Sequence, residues 1–335
     1  MEIYHINNKN NVSISITNFG LRVLALKVPN KDGDLVDVVL GFDNLYDYEK
    51  DSTQYFGSII GQYANRIENA QFSLNEIDYL LEKNEGNHHI HGGSKGYHKV
   101  LWKLVKAEKN KLRFYHLFAE KKGSYPGNTG VYVNYSINDD NEFTIEYEAT
   151  SDKDTIMNLT NHTYFNLKGE GNGNVSNHFI TINSDYYLST DKESLPVKIE
   201  SVVNTSLDYR VKKRIGDGLE NQCQNLKQSN GFDHCYVLKN TLGNKLNHAA
   251  ILEEPENGII MNVFTTEPGM QFYTGNFLDG SVNGKSGKPY PIYSGVCLET
   301  QKFPNTPNRP DFPSALLKKN HQYKSTTIYS FSTKK

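Results

Sequence analysis

The sequence predicts an all-β fold: one continuous antiparallel domain over residues 1–335, built as a sandwich or a barrel, with few short helices. Three observations predict it. Apolar and polar residues alternate with period two along several segments. Turn-forming residues fall between those segments. No helical pattern reaches the length of a crossover helix, which argues against parallel βαβ units. An all-β unit of this length need not divide into two domains, and no repeat, low-complexity linker or domain boundary interrupts the chain.

Taken in order, Val12, Ile14 and Ile16 alternate with Ser13, Ser15 and Thr17, the mark of a strand with one face on a core. Lys31-Asp32-Gly33-Asp34 lies between Val23–Val28 and Leu35–Leu40 and reads as a hairpin with Asp-Gly at its tip. Leu112–Phe118 is a further strand. Val131, Val133, Tyr135 and Ile137 form one alternating run, and Phe143, Ile145, Tyr147 and Ala149 form the next, with Asp139-Asp140-Asn141 as the turn between them. Pro126-Gly127-Asn128 and residues 169–174 read as loops. Three short helices are expected: Asp43–Tyr48 with Asp43 as N-cap, Ser206–Ile215, and Ser314–Asn320.

Composition narrows the function. The 36 Lys+Arg against 38 Asp+Glu leave a formal charge of -2, so electrostatics offers no case for a nucleic-acid or membrane partner. The N-terminal residues lack the charged and apolar regions of a signal peptide, and no stretch approaches the roughly 18 apolar residues of a membrane span. Three cysteines (Cys223, Cys235, Cys297) at irregular spacing suggest neither a disulfide framework nor a zinc cluster; buried thiols in the reducing cytoplasm are expected.

Five segments place polar or ionisable residues where strands should be apolar. In Gly61-Gln62-Tyr63-Ala64-Asn65-Arg66-Ile67, Arg66 follows an apolar run and needs a ligand or a salt-bridge partner. Asn87-His88-His89-Ile90-His91-Gly92-Gly93 holds three histidines. Strand alternation would put His89 and His91 on one face and His88 on the other, with no further ligand at a familiar spacing, so no metal site is expected. The glycines after His91 allow close approach of a ligand or backbone. Asn158–Leu167 gathers Asn, Thr and His around His162. Asp233 precedes the apolar strand His234–Leu238 and reads equally as a turn residue. Glu299 ends the apolar run 295–298, where a carboxylate is expensive unless paired or functional. Together they supply two His, a Glu, an Asp and an Arg, a set suited to acid–base work on a polyhydroxylated substrate. A phosphate loop and a nucleophile elbow are lacking.

Gln62–Ile67, His91-Gly92-Gly93, Asn158–Leu167, Pro268–Phe277 and Leu298-Glu299-Thr300-Gln301 resemble, in order, motifs of the galactose mutarotases, the aldose 1-epimerase family. The resemblance runs from about Ile14 to Phe331. It implies a galactose mutarotase-like supersandwich, a large antiparallel β-sandwich with a sugar cleft on its concave face. It also implies roles: Glu299 as general base, His162 as general acid, His91 as a second active-site histidine, and Asn65, Arg66, Asp233 and Gln271 as binders of sugar hydroxyls. The expected partner is a free aldose; the reaction requires no cofactor, and the protein is expected as a monomer or homodimer. His88 and His89 stand where small polar residues are usual in the family and would reshape the cleft rim.

Ring opening of an aldose needs a base at the anomeric hydroxyl and an acid at the ring oxygen. With ordinary pKa values of about 4.3 and 6.5, Glu299 would be ionised and a protonated His162 accessible near neutrality without tuning. Tyr273 and Phe277 are candidates to stack on the pyranose, or to serve simply as core. Three rivals differ in one requirement each. A hexose-6-phosphate epimerase would need cations for the phosphate, for which Lys302 and Arg309 are candidates. A glycosidase would pair Asp233 with Glu299. A non-catalytic sugar-binding module would lack the acid or the base.

Overall fold

Along Glu142–Ser151 every second side chain from Phe143 onward is buried, and along Thr129–Ile137 the residues Val131, Val133, Tyr135 and Ile137 are buried, as the alternation predicts. The two strands pair with Val133 opposite Tyr147 and Tyr135 opposite Ile145. They sit within a nine-stranded antiparallel sheet of order Lys103–Glu108, Lys111–Phe118, Thr129–Ile137, Glu142–Ser151, Gln322–Thr333, Ile259–Thr265, Asn247–Glu253, Phe179–Ile182 and Lys213–Arg214. This computed structural model describes residues 1–51, 53–121, 124–221, 223–239 and 245–334.

A six-stranded antiparallel sheet of order Tyr164–Phe165, Val296–Gln301, Gly269–Tyr273, Asp233–Val237, Tyr186–Thr190 and Pro196–Ser201 packs face to face on the larger one. Between them lies one apolar cluster that takes Val133, Ile145 and Val263 from one sheet and Phe272, Val296 and Leu298 from the other. The Tyr329 hydroxyl donates to the Leu298 carbonyl across this layer at 3.2 Å, and Phe165 packs on Tyr329 with ring centroids 4.9 Å apart. Of the two closures the strand pattern allows, the chain therefore takes the sandwich. A four-stranded sheet, Ile3–Asn7, Ser13–Thr17, Val23–Pro29 and Leu35–Asp37, adds Ile14, Ile16 and Leu26 to the same core.

The hairpin at Asp32-Gly33 forms as expected: Pro29 pairs with Leu35, and Gly33 takes φ 90°, a conformation that costs a glycine little. The helices are shifted or missing. Leu45–Lys50 is helical, but its cap is Asn44, whose side chain accepts from the Tyr46 amide, rather than Asp43. Where the sequence predicts a helix over 206–215, Lys213–Arg214 instead pairs with Phe179–Ile182 as the edge strand of the large sheet, and the helix Ile215–Glu220 begins only after it. No helix forms over 314–320, because Leu316–Leu317 pairs with Thr155–Ile156. In both places strand pairing overrides local propensity. Among the described residues no helix is long and apolar enough to cross a membrane.

Candidate active site

The faces of the six-stranded sheet follow from period two. Val296, Leu298, Met270 and Phe272 point into the core, so Cys297, Glu299, Gln271 and Tyr273 point the other way. Register then sets them side by side: Glu299 lies opposite Gln271, Cys297 opposite Tyr273, Tyr273 opposite Asp233, and Tyr164 opposite Cys297. One face of this sheet thus gathers a Glu, an Asp, a Gln, two Tyr and a Cys before any loop is added.

Loops and short strands close the site. Thr160–Asn161 pairs with Ile59–Ile60 and delivers His162 above the sheet. Arg66–Ile67 pairs with His89–Ile90 and delivers Asn65, Arg66 and His91. A pocket of about 280 Å³ forms between them, lined by Asn65, Arg66, His91, His162, Asp233, Gln271 and Glu299 together with aromatic and loop residues. All seven candidates from the sequence meet there. Tyr273 and Phe277 line the same wall, with ring centroids 6.2 Å apart and an interplanar angle of 27°.

Four polar atoms of the site, Arg66 Nε, Glu85 Oε2, Gln271 Oε1 and Glu299 Oε2, are buried and have no hydrogen-bond partner in the protein. Buried polar atoms are nearly always satisfied, so an unsatisfied set converging on one cavity marks a place for a polyhydroxylated ligand. The partners that do exist hold the site rigid. Gln271 Nε2 donates to Asp233 Oδ1 at 2.6 Å, and Arg66 Nη2 donates to Glu85 Oε1 at 2.7 Å. The Asn65 amide donates to His91 Nδ1 at 3.2 Å. That nitrogen must be an acceptor, so in the neutral ring the proton sits on Nε2 and can be donated to a ligand.

His162 Nε2 lies 3.6 Å from Glu299 Oε1, within ion-pair reach but beyond a hydrogen bond. Burial pushes His162 down to about 3, with the Arg22 cation adding to the effect. Burial also lifts Glu299 well above the usual carboxylate range, assisted by the Asp233 charge. His91 is held well below its ordinary value, chiefly by burial and then by His162. The ordinary pKa values expected from the sequence therefore do not hold. The desolvated pocket favours the neutral forms of both His162 and Glu299.

The histidine cluster also differs from expectation. His91 has φ 54°, which breaks the strand after His89–Ile90 and turns its side chain away from that of His89. His89 instead contacts the Glu82 carbonyl and the Tyr125 hydroxyl, both at 2.7 Å, while His88 Nδ1 accepts from the Asn69 amide at 3.1 Å. Neither lines the pocket. Among the described residues the grouping able to reach a common ion is His162, Cys297 and Glu299, whose ligand atoms lie within 4.8 Å of one another. Burial and the Glu299 charge push the Cys297 thiol well up, so it stands as a neutral thiol. Lys302 and Arg309 are turned elsewhere, Lys302 to Glu267 at 3.4 Å and Arg309 to Asp311 at 2.8 Å.

Sequence reasoning missed Tyr55, Glu85 and Arg22. Tyr55, at φ 54°, packs its ring against His91 at 4.9 Å and His162 at 5.7 Å. Fully buried Arg22 lies behind it, with Nη1 donating to the Phe56 carbonyl at 3.0 Å and paired with Asp51 at 3.4 Å. Nothing in the alternation of Leu21–Leu26 marks Arg22 as other than a surface residue.

The family model for aldose 1-epimerase matches residues 2–330. The galactose mutarotase of Bos taurus is 40% identical over 95% of this chain and 91% of its own length. The aldose 1-epimerase of Haemophilus influenzae is 35% identical over 98% and 95%. Among solved structures, the aldose epimerase homologue from C. elegans superposes with a TM-score of 0.92 at 28% identity, covering 100% of this chain and 99% of that one. The galactose 1-epimerase from Lactobacillus acidophilus gives 0.86 at 26%, covering 99% and 95%.

Proposed function

The chain belongs to the aldose 1-epimerase family and is an isomerase that interconverts the anomers of aldoses; from this premise we propose that Glu299 and His162 perform the proton transfers, with galactose, and glucose beside it, as substrate. Glu299 takes the proton of the anomeric hydroxyl while His162 gives one to the ring oxygen. The C1–C2 bond of the open aldehyde rotates, and the reverse transfers close the other anomer. His91 donates to a sugar oxygen from Nε2. Asn65, Arg66, Asp233 and Gln271 hold the hydroxyls, the charged ones through charge-assisted hydrogen bonds.

The observation that carries this reading is the 3.6 Å separation of His162 Nε2 and Glu299 Oε1 in a shared desolvated pocket. The neutral pair and the imidazolium–carboxylate pair hold the same number of protons. Moving one proton from Glu299 to His162 creates the acid and the base together, with no change in net charge. Sugar hydroxyls donating to Glu299 favour that transfer, because they supply the hydrogen bonds its carboxylate lacks. Glu299→Gln should slow mutarotation of freshly dissolved α-D-galactose by roughly 10²–10⁴-fold while leaving sugar binding in place. Polarimetry beside calorimetric titration tests it; a wild-type rate in the variant removes Glu299 from the role of base.

The same reading assigns no metal to the reaction, so EDTA should leave the rate unchanged, and strong inhibition by it would reopen the grouping of His162, Cys297 and Glu299. It also places the protein in the cytoplasm, in keeping with three free cysteines. The chain acts as one domain, as a monomer or homodimer; light scattering on the eluting protein decides between the two.

A further inference from the structure

The pocket carries a carboxylate that the proton transfers do not use. Glu85 lies between the strands Ile77–Leu80 and His89–Ile90. Its backbone is pinned by a pair of hydrogen bonds with His88, at 2.8 and 3.2 Å. The neighbouring Asn84 clamps the same loop, its side chain both donating to and accepting from the Ile90 backbone. Of the three carboxylates lining the pocket, Glu299 has a side chain only 4% exposed and Glu85 one 39% exposed. Glu299 therefore stands on the floor and Glu85 at the mouth. The cation of the lining is Arg66, and Glu85 already pairs with it at 2.7 Å. Among the described residues no lysine lines the pocket, and Lys302 is committed to Glu267.

We propose that Glu85 is a specificity-determining residue that restricts the site to uncharged and cationic aldoses and repels those bearing an anionic group at the C6 end, such as hexuronates and hexose phosphates. The inference rests on the reading above, which puts C1 between Glu299 and His162 on the floor. The sugar's far end must then lie near the mouth, where Oε2 of Glu85 is buried without a partner. A neutral hydroxymethyl group can donate to that oxygen. A carboxylate or phosphate there meets like charge, with the nearby guanidinium already neutralised by the same residue. Discrimination of this kind comes from a repulsive element set against the wrong ligand.

The test is a charge ladder at one position, E85Q and E85K beside wild type. Mutarotation of galactose, galacturonate and 6-amino-6-deoxygalactose is followed polarimetrically at low and high salt. Wild type should turn over galacturonate with a kcat/KM at least roughly 100-fold below galactose, and the amino sugar within roughly tenfold of it. Along Glu, Gln, Lys the ratio of galacturonate to galactose should rise by at least roughly tenfold, and salt should shrink the spread. If both variants lower every substrate alike, Glu85 merely holds Arg66 and the proposal falls. Equal use of galacturonate and galactose by wild type also overturns it. Should E85K fail to fold, the near-isosteric E85Q still decides. If wild type mutarotates none of these sugars, the parent reading fails instead, and calorimetric titration with galactose and galacturonate still tells whether the mouth repels anions.

Discussion

Cys297 lies beneath His162, its Sγ 3.6 Å from Nδ1. Its thiol is pushed well up by burial, so it stays protonated, and its sulfur can accept from Nδ1–H. A proton held at Nδ1 leaves Nε2, the nitrogen that faces Glu299, bare in the neutral ring and able to take the proton that Glu299 passes to it. Sulfur is a weak acceptor, and a typical net hydrogen bond contributes about 0.5–1.5 kcal/mol. Cys297→Ala should therefore reduce kcat by roughly two- to tenfold with little change in KM. Cys297→Ser, which keeps an acceptor, should recover most of the loss. Equal kcat in wild type and Cys297→Ala would show that the imidazole is oriented without the thiol.

At the scale of elements, Thr53, Gln54 and Tyr55 form a wall of the pocket that depends on Arg22. The guanidinium holds both ends, Asp51 by ion pairing and Phe56 through its carbonyl. Between them Tyr55 sits at positive φ against two of the active-site imidazoles. Removing one partner of a buried pair leaves the other uncompensated, at a cost of about 3–5 kcal/mol. Arg22→Met should lower the thermal midpoint accordingly and raise KM for galactose, since the wall loses its anchor. A normal KM in a destabilised variant would confine Arg22 to stability. This wall illustrates what could be read in advance. The strands around residues 131 and 149, and the outward face holding Gln271 and Glu299, follow from period two. His162, Arg66 and His91 were legible because their motifs match a family. Tyr55 and Arg22 were not, because left-handed backbone and a buried cation arise from tertiary packing that no local pattern encodes. For the same reason two expected helices gave way to strand pairing at Lys213–Arg214 and Leu316–Leu317.

At the scale of the whole molecule, the sandwich is thick enough to bury imidazoles well away from the sugar as well as within reach of it. Burial holds His98, His162 and His178 at about 3 and His234 at about 4, and His91 moves the same way. His178 accepts from the Leu167 amide and His234 from the Asp233 amide, so both serve the fold in their neutral form. The sign follows from linkage. Below the ordinary histidine value of about 6.5 the unfolded chain binds protons that the folded chain refuses, so folded stability is lost as pH falls. Each such histidine contributes about 1.4 kcal/mol per pH unit once well below that value. Glu299 opposes them: its raised folded value favours the fold at low pH and costs stability as pH rises above the ordinary carboxylate range. One carboxyl against five imidazoles leaves a net loss of up to about 5–6 kcal/mol per unit on acidification, against a typical total of about 5–15 kcal/mol. The thermal midpoint should therefore hold near neutrality and fall steeply between pH 6.5 and about 5. Scanning calorimetry across that range checks it. A midpoint that stays flat to pH 5 would mean that these imidazoles carry charge within the fold, and with it that the pocket around His162 is far wetter than its burial implies.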